Sequence, residues 1–457
     1  MVLTPRRSHS GDFRSPLAGL VIFAFILSCS VTFAEAFRPP DQRPRHDLDL
    51  AKQHQIARYE SKHLVLFTDI DPEQAKGLPA FFDQAYDALV EYFGPPPPAK
   101  DGSEYQLTGY LMQVRERFRQ AGMLPKEAEF QHGKNAGYEF WMDDQEFDYY
   151  RRHLLVHEGT HCFMMAREEK SGQSLPLWYL EGTAELFGTH SIDEKGKATF
   201  RAMPDKLERF LGFERIEMVR KAIDTGRFRS VRGVIELTND EFTRDRAGPY
   251  AWSWAFCKFL DTHPRYQKRF RELGQHLVGD EFGELMQESF APDKDVLWAE
   301  WEQFARTLEY RYDIPRSAIA FEKGTPLIVG ETRELPIRAD IGWQSSKIWL
   351  EADTDYEISA TGKVVLQKAL KQSDSEAEGI SIYYASGRPI GRLLGAIQAT
   401  EPPDEQGRGS LRDVLDLGKS RTIRPTIAGT LYLRVNESWG DLADNTGSFQ
   451  VRVKAAK

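Results

Sequence analysis

The stretch RRHLLVHEGTHCFMM, residues 151–165, constrains this chain more than any other. His157 and His161 stand four residues apart, with Glu158 next to the first. On an α-helix that spacing puts both imidazoles on one face a turn apart, where they can reach one ion, and sets Glu158 beside it. Zinc takes nitrogen, sulfur or oxygen ligands in a tetrahedral array, and a catalytic site keeps one position for water. Two histidines therefore leave a third protein ligand to be found. A short H-E-x-x-H pattern also arises by chance, and His153 falls on the same stripe, so a purely structural histidine face is the competing reading.

Glu181 supplies the missing ligand type, with 19 residues between it and His161. It sits in PLWYLEGTAELFGTH, where the apolar LWYL leads into a second helix able to pack on the first. Glu185 lies one turn further on the same face. A carboxylate there can accept the second N–H of a ligating histidine, which fixes the tautomer and aims the ring.

The pair HEGTH and WYLEGTAELFG resembles the gluzincin clan of zinc metallopeptidases, the peptidase-MA-like proteins related to thermolysin. The resemblance covers residues 58–310, with its motifs concentrated in 153–190. It implies zinc (Zn2+) held by His157, His161 and Glu181, Glu158 as general base, and Glu185 as the acid behind the ligands. Downstream, GPYAWSWAFCKFL reads as a helix with Trp252, Phe256, Phe259 and Leu260 on a core-facing stripe. Tyr250 lies off that stripe. Peptidases of this clan commonly stabilise the tetrahedral oxyanion with a Tyr or His, which implies Tyr250. Clan aminopeptidases carry a G-x-M-E-N strand before the zinc helix; GKNAGYEFWMDD has no such motif, so an endopeptidase acting on peptides or proteins is implied. The alternative is a catalytically inactive zinc-domain scaffold acting as a glycan- or protein-binding protein.

The remaining sequence sets the frame. At 457 residues the chain is long enough for two or three domains. A net charge of −9 argues against nucleic acid or an anionic membrane as partner. Residues 1–36 carry Arg6, Arg7 and Arg14, an apolar run, and Ala34-Glu35-Ala36, which together read as a secretory signal peptide cleaved after Ala36. A secreted or periplasmic, cell-envelope location follows, with membrane attachment only if the segment stays uncleaved. Cleavage leaves Cys162 and Cys257, paired or as buried thiols. A polar extension (37–57) precedes the strand KHLVLFTDI, a helix over 72–94 ended by PPPP, and the strands YQLTGYLMQ and GYEFWM. The pattern is mainly helical from about 145 to 310.

From about 320 the texture changes to short strand-like runs separated by turn residues, the pattern of a β-sandwich. The expected class is α+β: a gluzincin-like domain over 58–318, then an all-β sandwich over 319–457. Near its end a loop contains Glu437, Asp441, Asp444 and Asn445, oxygen donors that can serve calcium (Ca2+) or cap turns. LYLRVNE and DNTGSFQVRV, with ATG (360–362) and GRLLGAI (391–397), resemble the bacterial calcium-dependent galactophilic lectin over about 325–455. That resemblance implies calcium at these four residues and a glycan held through it. Glu437 stands where the family has the shorter Asp, and Asp441 replaces a threonine.

Overall fold

Leu64–Thr68 (β2) and Leu107–Met112 (β3) are buried at every residue, the mark of strands covered on both faces. With Ala57–Glu60 (β1), Gly133–Ala136 (β4) and Glu139–Asp143 (β5) they form a sheet in the order β1-β2-β3-β5-β4. β2, β3 and β5 run parallel, while β1 and β4 pair antiparallel on the outside. Side chains alternate between two cores, as a period of two requires. Leu64 and Leu66 face the main core; Val65 and Phe67 face a smaller one with Tyr110, Phe118 and Trp141. The computed structural model describes residues 37–456 apart from 39, 42, 126–129, 131, 168–174, 246, 278, 367–372 and 401–408. The signal segment and its cleavage site lie outside the described residues.

The stretch expected as a polar extension is folded. Asp47 caps a short helix, Leu48–Gln53, by accepting from the Asp49 and Leu50 amides, and Ala51 and Ile56 complete the smaller core. The helix expected over 72–94 divides at Lys76–Gly77 into Pro72–Ala75 and Leu78–Phe93 (α1), and it ends at Gly94 (φ 78°) ahead of the prolines.

Asp148–Arg167 (α2) carries the histidines. Every residue from Leu154 to Met164 is buried, so it has no solvent face and no clean amphipathic stripe. Leu177–Gly188 (α3) packs against it and against Gly248–Thr262 (α5); between them in sequence lies Arg215–Asp224 (α4). Gly182 allows the α3–α5 approach: a Cβ there would stand 2.6 Å from the Ser253 carbonyl oxygen. Cys162 and Cys257 are buried free thiols. No described helix is long and apolar enough to cross a membrane.

Beyond residue 319 the regular elements among the described residues are all β. One sheet orders Glu378–Ala385, Arg388–Gln398, Gly429–Val435, Gln344–Leu350 and Thr325–Pro326. The other orders Ser373–Ser375, Val364–Leu366, Thr446–Ala455, Tyr356–Thr361 and Ser420–Ile423, with Thr332–Arg338 also on Thr446–Ala455. Ile348, Ile358, Leu431, Leu433, Val451 and Val453 fill the space between them. The protein is thus a mixed α/β part followed by an all-β part, and the two are joined by a continuous core. Trp439 and Leu442 belong to the main core, and Tyr312 stacks on Trp439 at 5.6 Å and 12°.

Candidate metal centre

Helical spacing brings the predicted ligands together. His157 Nε2 and His161 Nε2 are 3.1 Å apart, and Glu181 Oε2 lies 3.4 and 3.3 Å from them. Zinc–nitrogen and zinc–oxygen bonds of about 2.0–2.1 Å give a tetrahedron with edges of about 3.3–3.4 Å. The three atoms therefore already form a face of the right size. Glu181 Oε2 has no hydrogen-bond partner among the described residues, so its lone pairs are free for an ion. The Glu181 side chain keeps 17% of its surface exposed, against 7% and 6% for the histidines, so the centre opens to solvent on its side. Burial opposes charge on His157, yet Glu181, Glu185 and Glu158 hold its pKa up at about 9. Burial likewise raises Glu181, and the two imidazoles overcome it to bring the carboxyl down to about 2. The imidazoles and the carboxylate thus stabilise one another's charges.

Glu158 lies one residue along and is buried. Its Oε2 accepts from Asn135 Nδ2 at 3.1 Å, and its Oε1 fills the space over Gly133, where a Cβ would stand 2.0 Å away. Both neighbours come from the edge strand β4. Burial raises the Glu158 pKa, with His157 and His161 pulling the other way. A carboxylate of raised basicity suits proton transfer near neutrality. Sequence reasoning missed Gly133 and Asn135, because only the pairing of β4 with β5 brings them over α2.

Glu185 lies behind the ligands, with Oε1 3.5 Å from His157 Nδ1 and Oε2 3.3 Å from His153 Nε2. Arg215, another residue that sequence reasoning missed, bonds both oxygens at 3.0 Å. Burial works against the Glu185 charge; Arg215 and then His153 hold the carboxyl far below the ordinary range. Tyr250, in the first turn of α5, has its ring centroid 6.2 Å from that of His157 and packs edge-on against Phe242. Burial, then Glu181, Glu185 and Glu158, raise its pKa, so the phenol stays protonated as a donor.

The loop holding Glu437, Asp441, Asp444 and Asn445 faces the helical part. Asp441 pairs with Arg311 at 3.0 Å, while Ser438 Oγ and the Gly440 amide donate to Glu309 at 2.7 and 3.2 Å. Glu437 and Asn445 are buried, and Glu437 Oε2 and Asn445 Oδ1 lack hydrogen-bond partners among the described residues. The His, Cys, Asp and Glu clusters that converge tightly enough for a metal are, among the described residues, the two on α2 and α3.

Fold and centre together define a mixed α/β protein whose two-imidazole, one-carboxylate site is competent for a metal, extended by an all-β part. No family model matches the chain, and no curated protein matches it. Among solved structures it is similar to a chain described as "EclA N-terminal domain; PllA-like lectin", at 16% identity and a TM-score of 0.21, over 27% of this chain and 94% of that one. At that score the likeness carries no argument.

Proposed function

We propose that the protein is an exported zinc-dependent metallopeptidase of the gluzincin type that cleaves within peptide chains. One observation carries the reading: three ligand atoms 3.1–3.4 Å apart, with a buried carboxylate adjoining them. Zinc bound by His157, His161 and Glu181 supplies Lewis-acid polarisation of a carbonyl and a lowered pKa for water. Glu158 takes the proton of the attacking water and passes it to the leaving amine, while Asn135 steadies its far oxygen. Tyr250 donates to the developing oxyanion. The outer edge of β4 beside Glu158 suits an extended peptide, which can add to it as a further strand.

Zinc analysis of the mature protein, together with cleavage of a peptide library, tests this reading. Stoichiometric zinc with metal-dependent internal cleavage is expected. Zinc without cleavage would leave the scaffold reading instead. Tyr250→Phe is expected to keep zinc and melting temperature while lowering turnover by about 100-fold, the scale of one oxyanion donor.

For the β part we propose calcium at the Glu437–Asn445 loop, supported by the two buried oxygens without hydrogen-bond partners. The ion would then bear on the joint between the two parts. Burial pushes the Glu437 carboxyl up to about 7, with Asp441 and Asp444 adding and Arg434 opposing. A raised folded-state pKa contributes stability fully present below the ordinary carboxyl value and lost as pH rises through about 7. The melting temperature of Glu437→Gln should therefore gain on wild type between pH 5 and 8. Calcium at pH 7.5 should raise the wild-type value alone. Equal calcium responses in the two proteins would remove the loop as its site.

A further inference from the structure

His157 belongs to two metal-competent groups at once. Through Nε2 it joins His161 and Glu181; through Nδ1 it joins His153 and Glu185. Each group offers two imidazoles and a carboxylate, so ligand chemistry alone does not separate them. Arg215 separates them. Its Nε bonds Glu185 Oε2 and its Nη2 bonds Oε1, both at 3.0 Å, and Nη2 also reaches the Tyr150 hydroxyl at 3.3 Å.

We propose that Arg215 is a positioning residue that selects between the two groups, committing His157 to present Nε2 to the metal and Nδ1–H to Glu185. The inference rests on the zinc-centre reading above. A guanidinium across both oxygens of Glu185 puts a fixed positive charge on the carboxylate that a cation in the inner group would need. The fork also fixes the rotation of the carboxylate, and so the edge it turns toward His157 Nδ1, 3.5 Å away. A lysine provides the charge without the paired geometry.

The chain leading into Arg215 is shaped for this placement. Gly212 has φ +84°, and a Cβ there would stand 2.9 Å from Tyr150 Cβ. Glu214, not a glycine, is also left-handed at φ 47°. Phe213 between them turns inward, its ring 5.2 Å from that of His153 and beneath the Arg215 guanidinium at 5.5 Å. Strain of this kind persists only where surrounding structure over-determines it. Here it sets α4 so that its first residue, Arg215, reaches the carboxylate.

The test is zinc affinity of the full chain by chelator competition, with the visible spectrum of the cobalt-substituted protein as a second readout. Wild type should bind one zinc. Arg215→Lys and Arg215→Met should bind it about tenfold or more weakly, the scale seen when a partner behind a metal ligand is lost. Their cobalt spectra should shift as His157 is freed to turn. Arg215→Lys retains the charge and so decides the matter if Arg215→Met does not fold. Wild-type zinc affinity and cobalt spectrum in folded Arg215→Lys would overturn selection by the paired geometry, and the same result in folded Arg215→Met would overturn the selection role altogether. Wild type that binds no zinc would instead overturn the zinc-centre reading, and the inference with it.

Discussion

Glu158→Gln should retain its zinc and lose about 100- to 10,000-fold in peptide turnover, the span that general acid–base help provides. In barrier terms that is about 3–5 kcal/mol. The substitution is nearly isosteric, and a glutamine oxygen can still accept from Asn135, so the packing over Gly133 survives. What disappears is the capacity to take a proton. Because Glu158 is outside the ligand triangle, metal content should not change. Undiminished hydrolysis in the zinc-loaded variant would remove Glu158 as the base.

Glu181→Ala should lower zinc affinity by well over about 100-fold, since losing a mere partner of a ligand already costs about 10- to 100-fold. The fold should survive: the site is in the first turns of α3, its side chain is partly exposed, and alanine favours helix. Circular dichroism should therefore match wild type while bound zinc falls away. A folded Glu181→Ala protein with undiminished zinc would mean that the third ligand is another group.

The legible parts of the site were those set by local periodicity. His157, Glu158 and His161 share one helix, and one turn fixes their relations. Glu181 and Glu185 stand a turn apart on the next helix, but their meeting with the histidines was implied by the gluzincin resemblance, since periodicity does not set how two helices pack. Asn135, Gly133 and Arg215 were not legible, because β-pairing and the turn at 212–214 bring them in from distant sequence. The sandwich strands showed their alternation, as in Tyr356–Thr361, where buried residues alternate with more exposed ones. The 37–57 stretch was misleading, since its many charges hid the two apolar residues, Ala51 and Ile56, that cover the sheet. The loop 437–445 reads as an acid-rich turn, yet Trp439 and Leu442 anchor it in the main core.

That anchoring makes the β part a poor candidate for a detachable module. The Tyr312 ring stacks on Trp439, the Arg434 guanidinium lies 3.7 Å from the indole ring centroid, and the Asp313 amide donates to the Trp439 carbonyl at 2.9 Å. Cutting the chain near residue 319 would expose the Trp439 indole and the Tyr312 phenol to water. Heat or denaturant should consequently meet one cooperative object, with the all-β part braced against the chain at Glu309–Asp313.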